Sequence, residues 1–190
     1  QTYVMAHSYT AQAIARAVRF GVRTIEHGNL IDAETAQLMH EMGAYVVPTL
    51  VTYEALATEG EQYGLPPDSV EKIAEVREAG LASLELYKRA KVKMGYGSDL
   101  LGPSQRLQSG GVRIRNEVLS NQEVIQSATT IAAEVLNQED QLGRLFVGAT
   151  ADLIAVEGDP MKDVSCLLGQ GDHIPLVIKD GQIQFNELSS

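Results

Sequence analysis

A repeating rhythm constrains this chain more than any other feature: short apolar, strand-like runs alternate with longer segments of helical period. The opening run TYVMA closes on His7, Val22–Glu26 closes on His27, Ala44–Leu50 ends at Pro48 and Thr49, and Val92–Tyr96 leads into Gly97-Ser98-Asp99. Between them, Thr10–Phe20 places Ala11, Ile14, Ala15 and Val18 on one helical face, with Thr10 as N-cap and Gly21 as the stop. Asp32 caps a second helix through Met42, with Leu38, Met39 and Met42 inward and Gly43 as its end. Asp68-Ser-Val-Glu71 resembles a capping box and starts a long third helix on which Val70, Ile73, Val76, Leu81, Leu84 and Tyr87 recur. Strand and helix in strict alternation specify an α/β fold with a parallel sheet, here four strands and three intervening helices.

The segments outside this rhythm are of two kinds. Thr52–Pro67 has no period and contains Gly60, Gly64 and a Pro-Pro pair, so a long loop or broken helix is expected; loops of that length usually carry function. Leu100–Gly111 reads as a glycine-rich loop. Ser120 and Glu123 then open a capping-box helix to about Asn137, with Val124, Ala128, Ile131, Ala132 and Val135 inward. Beyond it come short β runs, Ala151–Val156, Leu176–Ile178 and Gln182–Phe185, the last two joined by an Asp180-Gly181 hairpin turn. Residues 1–137 are therefore expected to form one unit and 138–190 another.

Three residues of metal-ligand type, His7, His27 and Asp99, end separate strands of one βα series. In barrels of βα units the C-terminal strand ends carry the chemistry, and imidazole and carboxylate are good ligands for Zn²⁺ and similar ions. At 190 residues the chain is too short for a whole eight-stranded barrel, which takes about 250. It also begins with Gln1 inside an apolar run, so we expect the C-terminal piece of a longer protein.

The order AHSY, TIEHGN, GYGSD and GRLFVGATADLIAVEGDP resembles the amidohydrolase superfamily, most closely its imidazolonepropionase-like and Xaa-Pro dipeptidase-like branch. The resemblance implies the C-terminal half of a TIM-type (β/α)8 barrel, strands five to eight, plus part of a small flanking β-sandwich. It further implies that His7 and His27 bind metal, and that Asp99 is both ligand and proton shuttle. The remaining ligands, an HxH pair and often a carboxylated lysine, would lie on strands outside this chain, which leaves one Zn²⁺ or two open. The implied reaction is hydrolysis of an amide or peptide C–N bond by metal-activated water, a Xaa-Pro or related dipeptidase. Cyclic-amide, phosphotriester and lactone hydrolysis are the alternatives within the family.

Other residues are read as follows. Tyr9 and Thr49 lie just past strand ends, where they are candidates for substrate contact, although packing is the commoner role for such residues. Arg106, Arg113 and Arg115 follow the fourth strand; Arg113 is taken as a possible carboxylate clamp. Glu26 alternates with His27 and should point away from the barrel interior toward a helix. His40 reads as a helix residue, His173 as a loop residue, and Asp152 and Asp159 as turn carboxylates. No glycine spacing for a phosphate cradle is present.

Composition narrows the partners. With 44% hydrophobic and 21% charged residues and no long apolar stretch, the chain is globular with no membrane span. A net charge of -10 disfavours nucleic acid, whose phosphates call for Lys and Arg. The single Cys166 cannot form an intrachain disulfide, which fits the cytoplasm. A small-molecule or dipeptide substrate is expected. The open strand edges predict either a homo-oligomer or dependence on the absent half, without which the piece would be non-catalytic and prone to associate.

Overall fold

The computed structural model describes residues 2–188. Its first part alternates β1 (Met5–Thr10), α1 (Ala11–Arg19), β2 (Thr24–Leu30), α2 (Ala33–Glu41), β3 (Tyr45–Val47), α3 (Leu50–Glu59), α4 (Pro67–Ala90) and β4 (Lys93–Met94). The four strands form one parallel sheet in sequential order, β1-β2-β3-β4. Then follow α5 (Gly110–Asn116), α6 (Asn121–Ala128) and α7 (Thr130–Val135), and a three-stranded antiparallel sheet of β5 (Leu153–Ala155), β6 (Leu176–Lys179) and β7 (Gln182–Asn186). The α/β class is as expected. No helix of the described residues is long and apolar enough to cross a membrane.

Local signals explain most element ends. Thr10 and Asp32 accept from the backbone N–H groups of Ala13 and Thr35, which caps α1 and α2 as expected. Ser120 and Glu123 form the full capping box of α6. Asp180 and Gly181 both have positive φ, 49° and 71°, the geometry that a two-residue hairpin turn of the I′ kind requires.

Several expectations need correction. Of the two forms expected for residues 52–67, the broken helix is the one present: α3 runs through Glu59 and a 3-10 turn continues to Tyr63. Consecutive buried residues of α3, Leu50 to Tyr53, hide the period because the first turn of the helix is covered on all sides. The loop expected at 100–111 contains a 3-10 helix over Gly102–Leu107, and α5 begins at Gly110. Helix α4 starts at Pro67, with Pro66 at the cap position and no side-chain cap, so Asp68 lies inside its first turn. The helix expected through Asn137 is broken at Thr129 (φ -124°, ψ -91°), which rotates the inward face: Ser127 and Ala133 are buried and Ala128 is exposed. Met42, expected inward, is exposed at the end of α2.

The register assigns the two faces of the parallel sheet. Ala6, Ile25, Val46 and Met94 pair across it and meet the helices, in one core with Ile14, Val18, Met39, Leu84 and Tyr87. Full burial of each large side chain there contributes about 1.5–3 kcal/mol. The opposite, inner face carries the next row, His7, Glu26 and Val47. Helix α7 lies across the lower end of that face. Glu134 accepts from the Tyr45 hydroxyl (3.1 Å) and from Lys93, while its carbonyl accepts from Arg23 (2.6 Å). The tail also reaches back: Val164, beyond the second unit's expected start, is buried in the first unit's core.

Candidate active site

The site grows from one irregularity in β2. His27 has φ 74°, and Gly28 follows at 69°. Left-handed backbone at a non-glycine residue costs about 1–2 kcal/mol and persists only where surroundings enforce it. Here the enforcement is visible: the Tyr87 hydroxyl donates to the Gly28 carbonyl (2.8 Å), and a Cβ on residue 28 would stand 2.1 Å from that same hydroxyl oxygen. Only glycine fits. The distortion breaks the strand's alternation, so Glu26 and His27 both serve the inner side.

This corrects the reading of Glu26. It pairs in register with His7 and Val47 rather than facing a helix, and its Oε1 is buried without a hydrogen-bond partner among the described residues. Burial pushes its carboxyl above the usual range, and the charge of Asp99 pushes it the same way. Strict alternation misassigned it; the His-Gly pair was the only signal of a bulge.

His7 and His27 meet. His27 Nε2 lies 2.7 Å from His7 Nδ1, and His27 Nδ1 lies 2.7 Å from Thr49 Oγ1. His27 is almost wholly buried, and burial, followed by the neighbouring His7, lowers its pKa; Asp99 opposes both. The Tyr9 ring stacks on His27 (centroids 5.0 Å, 6° between planes) and meets His7 edge-on at 5.0 Å. Thr49, read from sequence as a residue that packs or touches substrate, is buried against the imidazole and orients it.

Asp99 is exposed at the end of the fourth run, with φ 53°, and its carbonyl accepts from the Thr52 hydroxyl (3.2 Å). It lines one cavity with Tyr9 and Tyr53, the two rings that pack against His27. Asp99, Tyr9, Tyr53, Tyr63, Leu56 and Ser104 are among the residues lining a cavity of about 400 Å³. Among the described residues, no Lys or Arg lines this cavity.

The arginines behave differently from one another. Arg113 is bound by Glu54 and by Glu117 (3.4 Å), so its charge is already engaged. Arg106 is engaged by Glu59 at 2.6 Å. Arg115 is wholly buried and donates from Nη2 to the carbonyls of Pro48 (2.8 Å) and Gly95 (2.7 Å). It ties the ends of β3 and β4 together just before Thr49 and the Asp99 turn. Burial pulls its pKa down to about 10. His40 is exposed on α2, and His173 lies in an exposed turn beside Glu157.

Whether this rim suits a metal turns on donor chemistry and count. Two imidazoles with facing nitrogens, an orphaned buried carboxylate oxygen and a nearby aspartate are the donor types of a divalent-metal site. The two rings are hydrogen-bonded at 2.7 Å. On one tetrahedral zinc the two nitrogens would stand about 3.3 Å apart, so a small opening is needed. Among the described residues, no group of three His, Cys, Asp or Glu side chains is gathered closely enough to hold an ion. The residues fit as part of a ligand set rather than as a whole one.

Comparison with known proteins agrees with this geometry. A model described as "Amidohydrolase family" matches residues 1–183. A crystal structure of a prolidase complexed with N-methylphosphonate-L-proline is 55% identical, with a TM-score of 0.95, covering 98% of this chain and 46% of that one. A Xaa-Pro dipeptidase structure with bound methionine is 31% identical, with a TM-score of 0.85 and 97% and 45% coverage. The ochratoxinase of Aspergillus niger is 28% identical over 163 residues, 85% of this chain and 34% of that protein. The chain thus spans between a third and a half of the length of these relatives.

Proposed function

The chain belongs to the amidohydrolase family, and we propose that it is the C-terminal half, strands five to eight, of a metal-dependent hydrolase of amide bonds, most specifically a Xaa-Pro dipeptidase. The observation that carries this reading is the direct His7–His27 contact on the inner face, with Asp99 on the same rim. The prolidase and dipeptidase likenesses supply the substrate class.

His7 and His27 would hold a divalent ion, Zn²⁺ being the one we favour, together with Asp99 and ligands from outside this chain. When bound, such an ion polarises a carbonyl and brings the pKa of a coordinated water to about 7. With its proton on Nδ1, His27 would donate to Thr49 Oγ1 and keep the Nε2 lone pair for ligation, the role that partners of ligating imidazoles commonly play. Asp99 takes the proton of the attacking water and delivers it to the departing amine, without which the C–N bond would expel a poor leaving group. Arg115 holds the two strand ends from which Thr49 and Asp99 project. Because the ligand set is incomplete here, we expect residues 1–190 alone to be inactive.

The test is proline release from a panel of Xaa-Pro dipeptides by the full-length protein, before chelation, after chelation and after Zn²⁺ is restored. Metal-dependent release of proline is expected. Cleavage of ochratoxin but of no Xaa-Pro dipeptide would replace the substrate reading; activity indifferent to chelation would overturn the metal.

A further inference from the structure

The cavity beside Asp99 holds a feature that the hydrolytic reading does not use: two tyrosine hydroxyls in contact. Tyr53, on α3, donates to the Tyr9 hydroxyl at 2.8 Å, with ring centroids 6.3 Å apart in an edge-on arrangement. We propose that Tyr53 is a positioning residue for hydrolysis, holding the Tyr9 hydroxyl so that its own proton points into the cavity and donates to the substrate oxygen that gains negative charge. This rests on the hydrolase reading above.

The argument is one of hydrogen-bond direction. A phenol has one proton, and Tyr53 spends its proton on Tyr9. The Tyr9 oxygen accepts that bond, so the Tyr9 proton must go elsewhere, and among the described residues no acceptor takes it. Tyr53 is fit for this purpose because it is almost fully buried and rigid. A phenol already keeps its proton near neutral pH, so Tyr53 remains able to donate to Tyr9 there. The Tyr9 ring has little freedom of its own, stacked flat on His27 and edge-on to His7 and Tyr53. A donor aimed in advance at developing charge is worth more than one that must reorganise. No proton is transferred in this role; Tyr9 only donates a hydrogen bond.

The experiment is a double-mutant cycle in the Zn²⁺-loaded full-length protein. The ligand is a methylphosphonyl dipeptide mimic whose tetrahedral oxygens imitate the water adduct of an amide, and calorimetry gives its Kd. Tyr9→Phe should weaken binding about 100-fold, in keeping with loss of one oxyanion donor. Tyr53→Phe, which keeps the ring and its packing, should weaken it about tenfold and lower kcat about tenfold with KM within about twofold. In the Tyr9→Phe background the same Tyr53→Phe change should cost less than about twofold, because Tyr53 acts only through Tyr9. An equal loss in both backgrounds, or no loss in the wild-type background, overturns the proposal. A protein that shows the expected cycle with the mimic yet hydrolyses no amide would refute the hydrolase reading and keep the Tyr53–Tyr9 coupling.

Discussion

The two faces of the parallel sheet have the same backbone and opposite economies. The helix-facing side is mainly apolar: Ile25, Val46, Ile14, Met39, Leu84 and Tyr87 are sealed among one another, and the buried hydroxyls of Tyr87 and Ser83 there are hydrogen-bonded. The inner side is polar and unfinished. Met5 remains more than half exposed, Glu26 Oε1 and Thr24 Oγ1 are buried without partners among the described residues, and two imidazoles share one hydrogen bond. Stability and chemistry are therefore separated by side-chain parity within single strands. Ile25 serves one function and Glu26, one residue later, the other; His27 joins Glu26 only because the distortion at His27-Gly28 breaks the alternation.

The separation can be attacked first at the rim. Asp99→Asn in the full-length protein should lower kcat about 1000-fold, roughly 4 kcal/mol of barrier, while leaving its bound metal largely in place. Steady-state kinetics with metal analysis would check this. Activity within a few fold of wild type would remove Asp99 from proton transfer.

On the opposite face, Ile25→Ala should cost about 3 kcal/mol of unfolding free energy, since a fully buried aliphatic leaves a cavity that close-packed helices cannot fill. His7→Ala, at an exposed site one row away, should cost under about 1 kcal/mol by the same urea titration. Equal losses would mean that the faces are not independent.

A smaller effect concerns pH. Burial holds His27 below its ordinary pKa, so the unfolded chain takes up its proton first as pH falls through about 6.5, and stability from this residue is lost going downward. Glu26 has the opposite sign. Its raised pKa makes it favour the fold below about 4.5 and lose that contribution as pH rises through the folded value. Glu26→Gln should therefore stabilise the protein at pH 7 by about 1 kcal/mol and less at pH 4.5, as thermal melts would show. Destabilisation at pH 7 would reveal a cationic or hydrogen-bonding partner for Glu26 in the full-length protein. The smallest effect belongs to His40→Ala, an exposed helix site, where no change in activity and under about 0.5 kcal/mol in stability are expected.

The helix-facing side was the more legible in sequence because it follows simple periods. Val18, Ile14, Leu84 and Tyr87 sit where a 3.6-residue repeat puts them, and Thr10, Asp32 and Ser120 cap the helices they precede. The meeting of His7 and His27 was legible from strand-end position and from family resemblance. What stayed hidden depends on departures from period. Glu26 was misdirected because a bulge at His27-Gly28 overrides alternation. Tyr53 lay in a stretch without apparent repeat, since α3 is buried on more than one side. In sequence Arg115 is one of three arginines after the fourth strand, and only the fold shows that two strand-end carbonyls receive it.

Metal stoichiometry of the purified full-length protein, wild type against His27→Ala, tests the central claim most directly, because the inner face is held to be a ligand platform. The account predicts at least one equivalent of divalent metal in the wild type and well under half of that in the variant, with a closely similar far-ultraviolet circular dichroism spectrum. A metal-free wild type that still hydrolyses its substrate, or a His27→Ala protein with full metal content, would contradict it.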